Sequence, residues 1–315
     1  MMKKNRVLIL TRDPDPYVRL IAALDLPDLD VNACRTPREA ATYVDSCNII
    51  LGEPKRIVPL MAHAGCLEWI QSAFAGVEAL VAPPPRSDYV LTRVEGIFGT
   101  LMSEYVFAYI LALERNLFQA HEYQKNREWS DMPYRSLTGL LLGICGLGSI
   151  GMEIARTADC FGMKVWGYRR SGEPVPGVDR VFGRSGFTEF LSGPDYVVVT
   201  LPHTMETVHI FDDTAFQAMK PSAVLINVGR GTVVSEHSLV RAVTQHRIRG
   251  AVLDVFEQEP LPKESRLWEL PNVFITPHHS AISFPKDVVP IFAENYRRFT
   301  AGLPLMHVVD FKRGY

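Results

Sequence analysis

Three polar side chains stand a few residues past late runs rich in Val, Ile and Leu. Arg230 follows Leu225-Ile226-Asn227-Val228-Gly229, Glu259 comes shortly after Leu253-Asp254-Val255-Phe256, and His278 follows Ile275-Thr276-Pro277. Together they could bind and protonate a carbonyl compound. A guanidinium grips a planar carboxylate through two hydrogen bonds, and an imidazole hands a proton to a ketone oxygen. A carboxylate beside that imidazole orients it and keeps it protonated near neutral pH. Facing an incoming hydride, this set would reduce an α-keto acid. Singly, each residue reads equally well as a surface arginine, a loop charge and a structural histidine. Their joint placement after successive strands, where open α/β sheets hold their ligands, points to chemistry.

A hydride needs a carrier. Gly146-Leu147-Gly148-Ser149-Ile150-Gly151 stands directly after the apolar run Leu140–Cys145 and directly before a helix whose Ile150, Ile154, Ala158 and Phe161 share a face. The first glycine permits a tight turn, the second lets backbone approach a pyrophosphate, and the third lets helix and strand pack closely. The pyrophosphate then rests on the helix N-terminus, whose N–H groups have no intrahelical partner. The alternative is a purely structural glycine-rich turn. About 20 residues on, an NAD site carries an Asp or Glu for the ribose hydroxyls. Here that position reads Tyr168-Arg169-Arg170-Ser171. Two guanidinium groups and a hydroxyl suit a 2′-phosphate, so NADP(H) is the preferred cofactor, with NAD(H) left open.

These groups need a scaffold. The chain has 315 residues with a formal net charge of −2, 47% hydrophobic and 22% charged. That length fits two domains, and no like-charge run calls for nucleic acid or an anionic membrane as partner. Val7–Leu10 is too short a core for a signal peptide, and no apolar run nears the ~20 residues of a membrane span, so a cytoplasmic location is expected. Five cysteines without a CxxC pair read as buried free thiols. Val- and Ile-rich runs alternate with helical patterns throughout, the mark of an α/β fold with parallel sheets. Strands are predicted at Val7–Leu10, Asn48–Leu51, Leu67–Gln71 and Tyr89–Thr92, with helices around Val18–Leu24 and Pro37–Tyr43, and an exposed turn at Pro83-Pro84-Pro85. One long helical pattern runs from Ser103 to about Arg127. Six strands then follow: Leu140–Cys145, Lys164–Tyr168, Tyr196–Leu201, Ala223–Val228, Ala251–Val255 and Val273–Thr276. A last helix is expected from about Lys286 to Ala301.

Asn227-Val228-Gly229-Arg230-Gly231, Leu253 through Pro260, and Thr276-Pro277-His278 resemble the signatures of the D-isomer-specific 2-hydroxyacid dehydrogenases. Asp195 with Leu201-Pro202 and Thr207 resembles the family's fourth-strand segment, and Phe74-Ala75-Gly76-Val77-Glu78 its N-terminal substrate loop. Within the family, the arginine pair and the ending Val309 to Tyr315 look most like the NADPH-dependent glyoxylate/hydroxypyruvate reductases of the bacterial A type. The resemblance implies a triad of Arg230, Glu259 and His278, with the substrate carboxylate also held by the amides of Ala75 and Gly76. It implies that Met102, Val228, Gly229 and Asp254 flank the nicotinamide, and that Leu201, Pro202 and Thr207 join Gly146, Gly148, Ser149, Ile150 and Gly151 along the cofactor. It implies two doubly wound parallel-sheet domains: a Rossmann cofactor domain (103–285) inserted into a split flavodoxin-like substrate domain (1–102 and 286–315), in a homodimer whose cleft closes on substrate.

Departures and rivals remain. Glu78 stands where the family more often has Asp, and His279-Ser280 where it commonly has an apolar residue and Ala. Adjacent histidines raise a metal reading, but no Cys or carboxylate lies at ligand spacing, and no metal is expected. Arg93 could reach substrate or pair with Glu95. A nucleotide-sensing corepressor on the same fold, and an NADH-dependent reductase of another 2-keto acid, are the alternatives.

Overall fold

The computed structural model describes residues 4–81 and 86–311; the Pro83-Pro84-Pro85 run and residues 312–315 lie outside them. The chain divides into two compact units, residues 1–97 with 283–315 and residues 98–282. The divisions fall a few residues before the expected 102/103 and 285/286. Helix Gly99–Glu114 is continuous, so Met102 goes with the second unit.

The first unit holds five parallel strands: β1 (Asn5–Leu10), β2 (Leu29–Cys34), β3 (Ile49–Gly52), β4 (Trp69–Ser72) and β5 (Val90–Thr92), in the order β2-β1-β3-β4-β5. That is the flavodoxin-like order. Val7 to Leu10 and Ile49 to Leu51 have no exposed surface, as strands covered on both faces require. Strand β2 is not predicted from the sequence because Asp30 and Asn32 interrupt it, which an edge strand tolerates. The last helix, Pro285–Thr300, belongs to this unit by packing. Phe292 stacks on Trp69 at 5.3 Å, and buried Asn295 donates from Nδ2 to Gln71 Oε1 at 3.0 Å.

The second unit holds seven parallel strands: β6 (Leu141–Cys145), β7 (Lys164–Tyr168), β8 (Arg180–Phe182), β9 (Tyr196–Val199), β10 (Val224–Asn227), β11 (Gly250–Leu253) and β12 (Val273–Ile275). Their order is β12-β11-β10-β9-β6-β7-β8. This is the doubly wound dinucleotide-binding order with one strand added, and its crevice opens where β6 and β9 diverge. The sequence predicts six strands; β8 is the one missed, being three residues long with one buried side chain.

The single long helix expected from Ser103 to Arg127 is two helices, Gly99–Glu114 and Leu117–Asn126. Asn116 breaks them at φ +52°, a left-handed conformation asparagine adopts more readily than most residues. The first helix is fixed at both ends of its length. Ser103 Oγ donates to Thr157 Oγ1 at 2.7 Å on the helix after the glycine loop. Buried Glu114 takes Arg135 at 2.8 Å and Arg249 at 3.0 Å, and accepts the Tyr196 hydroxyl under the sheet. All five cysteines are free, but Cys66, in a loop, and Cys160, at a helix end, are exposed rather than buried.

Candidate active site

Every candidate residue of the second unit except Met102, which stands on helix Gly99–Glu114, lies on segments that leave the C-terminal ends of its strands. The turn after β6 is built around glycines. Gly146 adopts φ +105°, and a Cβ there would come within 2.7 Å of Thr200 Oγ1; a Cβ on Gly151 would come within 2.0 Å of the Gly146 carbonyl oxygen. Thr200 Oγ1 ties β9 to the same turn by donating to Gly146 O at 2.8 Å. Gly148 differs: a Cβ would meet nothing within 4 Å. It caps helix Ser149–Cys160 without any side-chain hydrogen bond to the helix's first turn. An open backbone surface in front of an uncapped helix N-terminus fits a pyrophosphate. Arg169, half-buried, and Arg170 and Ser171, both exposed, stand at the end of β7.

Turns after β9, β10 and β11 are pressed together by two further glycines. A Cβ on Gly229 would lie 2.8 Å from Leu201 O, and one on Gly231 would lie 1.8 Å from the Phe256 carbonyl carbon. The walls carrying Leu201, Val228 and Arg230, and Glu259 are therefore one block. Buried Asn227 shapes the β10 turn, donating to Arg230 O at 3.1 Å and accepting from Gly229 N at 3.2 Å. Arg230 Nη1 donates to Gly229 O at 2.8 Å, which aims the guanidinium.

His278 lies at φ +51° in the segment after β12, a conformation that costs a non-glycine residue ~1–2 kcal/mol. Asp254, with no exposed surface, holds the segment there. Its backbone oxygen accepts from His278 N at 2.9 Å. Its side chain accepts from Thr276 Oγ1 at 2.6 Å and from the amides of His279 and Ser280 at 2.9 Å each. Since the Thr276 proton goes to Asp254, the Tyr105 hydroxyl donates to Thr276 Oγ1, at 2.7 Å. Desolvation of that Tyr105 phenol, first among several effects, pushes it well above its usual range. Ser280 Oγ donates to Met102 Sδ at 3.2 Å, and the His279 ring meets Tyr105 edge-on at 6.4 Å.

The imidazole of His278 meets Glu259, Nδ1 to Oε2, at 2.8 Å, while Oε1 of Glu259 accepts from Phe256 N at 3.2 Å. An ionised carboxylate only accepts, so Nδ1 carries the proton of this bond and Nε2 is the ring nitrogen outside the pair. His278 remains half exposed at 51% and Glu259 is 27% exposed, an accessible pair on a buried base.

Asp254 is expected to flank a nicotinamide, but its carboxylate turns inward and is consumed by the loop it braces. Leu201 is buried, Pro202 exposed, and Thr207 donates to Pro202 O at 2.6 Å, shaping the segment after β9. Ala75, Gly76 and Arg93 belong to the first unit. Ser72 Oγ accepts from Phe74 N at 3.0 Å and donates to Phe74 O at 2.7 Å, fixing the turn that leads to Ala75 and Gly76. Arg93 lies 3.7 Å from Glu95, which also receives His307 Nδ1 at 3.2 Å. Among the described residues no group of three His, Cys, Asp or Glu is placed to hold a metal, and no helix is long and apolar enough to cross a membrane.

Residues 107–280 match the family described as D-isomer specific 2-hydroxyacid dehydrogenase, NAD binding domain. A glyoxylate/hydroxypyruvate reductase A of Serratia proteamaculans is 32% identical over 263 residues, 81% of this chain and 84% of the relative. The chain belongs to the D-isomer-specific 2-hydroxyacid dehydrogenases. Among solved members of that family, a protein from Aeromonas salmonicida superposes with TM-score 0.95 at 46% identity, covering 98% of this chain and 100% of that one. An NADPH-dependent glyoxylate/hydroxypyruvate reductase from Sinorhizobium meliloti, solved with NADP and sulfate, superposes with TM-score 0.89 at 31% identity, covering 99% and 100%.

The glycine geometry separates ligand space from packing space. Gly148→Val should weaken NADPH binding at least about tenfold, read by titration calorimetry, with the melting temperature unmoved. Gly151→Ala should lower the melting temperature by several degrees, because its Cβ has backbone in its way. Equal effects of the two changes on melting would contradict this assignment.

Proposed function

We propose that this dehydrogenase reduces small 2-keto acids, glyoxylate and hydroxypyruvate, to 2-hydroxy acids with NADPH, and that His278 is the proton donor. The observation that carries the reading is the 2.8 Å contact between His278 Nδ1 and Glu259 Oε2, which leaves Nε2 as the atom able to give a proton. Arg170 and the half-buried Arg169 at the end of β7 support NADPH over NADH, as does the relative from Sinorhizobium meliloti solved with NADP. Bound NADPH supplies the hydride.

The chain's own groups do the rest. Arg230 binds the substrate carboxylate and polarises the neighbouring ketone. His278 Nε2 delivers a proton to the ketone oxygen as negative charge develops there, and Glu259 stabilises the imidazolium before transfer and steers the ring. Amides of Ala75 and Gly76 offer further donors for the carboxylate. The protein works as a homodimer, a reading supported by apolar side chains exposed on and after helix Leu117–Asn126: Leu117 at 55%, Phe118 at 42%, Trp129 at 100% and Tyr134 at 65%. Sedimentation equilibrium should return twice the chain mass; a monomer at micromolar concentration would contradict the assembly.

Steady-state kinetics with glyoxylate, hydroxypyruvate, pyruvate and bulkier 2-keto acids test the chemistry. His278→Asn should cut kcat by about 10²–10⁴ while NADPH binding stays near normal. Glu259→Gln should move the falling limb of the reduction pH profile to lower pH, since the imidazolium loses its countercharge. Arg230→Lys should raise KM and lower kcat together, because an ammonium cannot reproduce the two-point grip. Near-normal turnover of His278→Asn on every substrate would remove the proton donor from this mechanism.

A further inference from the structure

Neither the glycine loop nor the His278–Glu259 pair accounts for an ion pair that crosses the cofactor end of the sheet. Glu206 sits in the exposed segment after β9, and its carboxylate pairs with the guanidinium of Arg184, which follows β8. In the sheet β6 and β7 lie between those two strands, so the pair reaches across the ends of both. Arg184 belongs to the same end as Arg169 and Arg170. Arg169 N donates to Phe182 O at 3.1 Å, and a Cβ on Gly172 would come within 3.0 Å of Gly183, so the tips of β7 and β8 are closed on each other. The Arg184 hydrogen bond, aided by the charges of Arg184 and Arg170, holds the Glu206 carboxyl below its usual range; it is ionised throughout the neutral range.

We propose that Arg184 is a third arginine for the 2′-phosphate of NADP(H), and that Glu206 is its counter-charge, occupying Arg184 in the free protein and competing with the phosphate for it. The inference rests on the NADP(H) reading above. Arg169, Arg170 and Arg184 against the carboxylates of Glu206 and the neighbouring Glu173 leave a positive surplus along these strand tips. A phosphate monoester carries about −1.5 to −2 at neutral pH and is drawn to that surplus, but it must take Arg184 from Glu206. A 2′-hydroxyl has no such claim. Glu206 therefore tempers the affinity for NADPH and leaves NADH almost untouched. It keeps the corner from holding phosphorylated nucleotide too tightly to release. The Arg184 and Glu206 side chains are 59% and 53% exposed, and an exposed pair of this kind adds little to folding, so either can be changed without losing the protein.

Titration calorimetry on the full chain with NADPH, NADH, 2′,5′-ADP and 5′-ADP at low salt provides the test. Glu206→Gln should tighten NADPH and 2′,5′-ADP about three- to tenfold and leave NADH and 5′-ADP within about twofold, and the gain should fade as salt screens the site. Arg184→Gln should weaken the 2′-phosphorylated pair by a similar factor, and adding Glu206→Gln to it should then change little. Unchanged NADPH affinity in Glu206→Gln, equal tightening of NADH, or full additivity in the double variant would overturn the proposal. Arg169→Asp distinguishes the two levels. If it abolishes NADPH preference while Glu206→Gln does nothing, the counter-charge alone is wrong. If the unmodified protein binds NADPH and NADH equally and Arg169→Asp alters neither, the cofactor reading falls and takes this inference with it.

Discussion

Asp254 carries the arrangement on which the candidate active site depends. Its carboxylate is wholly buried just past β11 and accepts from one hydroxyl and two amides of the segment after β12, while its carbonyl holds His278 N. A buried carboxylate without partners would cost several kcal/mol, so three residues of a neighbouring segment, Thr276, His279 and Ser280, converge on it. That convergence offsets the left-handed backbone at His278 and turns the imidazole toward Glu259 rather than along the strand direction. Tyr105 extends the brace to the helix Gly99–Glu114 through Thr276, and that helix is itself pinned by Glu114 beneath the sheet.

Around this brace the turns at the strand ends of the second unit are set by close approach at glycines. Gly146 with Gly151 closes the first turn on its helix, Gly229 closes the β10 turn on Leu201, and Gly231 closes it on Phe256. At Gly151, Gly229 and Gly231 a side chain would collide with main chain, and at Gly146 with the Thr200 hydroxyl, so the turns after β6, β9, β10 and β11 can shift only together. Gly148 is the exception with open space before it, and that space is where a ligand's phosphates fit. Close-set turns on a parallel sheet whose central strands β9, β10 and β11 are buried are what a hydride-transfer site needs, since a misplacement of about 1 Å can cost 10²-fold in rate.

Much of this was legible in residue order. The alternation of Val- and Ile-rich runs with helical patterns is enough for two parallel-sheet domains, and the motif segments mark Arg230, Glu259 and His278. Two strands escaped for opposite reasons: β2 because Asp30 and Asn32 sit in an exposed edge, β8 because three residues carry no periodicity. The break at Asn116 escaped because Leu113 and Leu117 keep helical spacing across it. Asp254 was visible as a residue but not as a brace, since its partners come from 22 to 26 residues away in sequence. A carboxylate directly after a buried strand was the available signal. Arg184 and Glu206 had none, because only the sheet order brings them together.

The hydrogen bonds of Asp254 run to the segment that carries His278, so its removal should show in turnover and not in cofactor affinity. Asp254→Asn puts an amide N–H where the carboxylate accepts, opposing at least one donor of the His278 segment. Parallel measurement of kcat for 2-keto acid reduction and of the NADPH dissociation constant decides the matter. The account predicts a loss in kcat of about 10²-fold or more with NADPH affinity within about threefold of the unmodified protein. Weakened NADPH binding with normal turnover at saturation would contradict it.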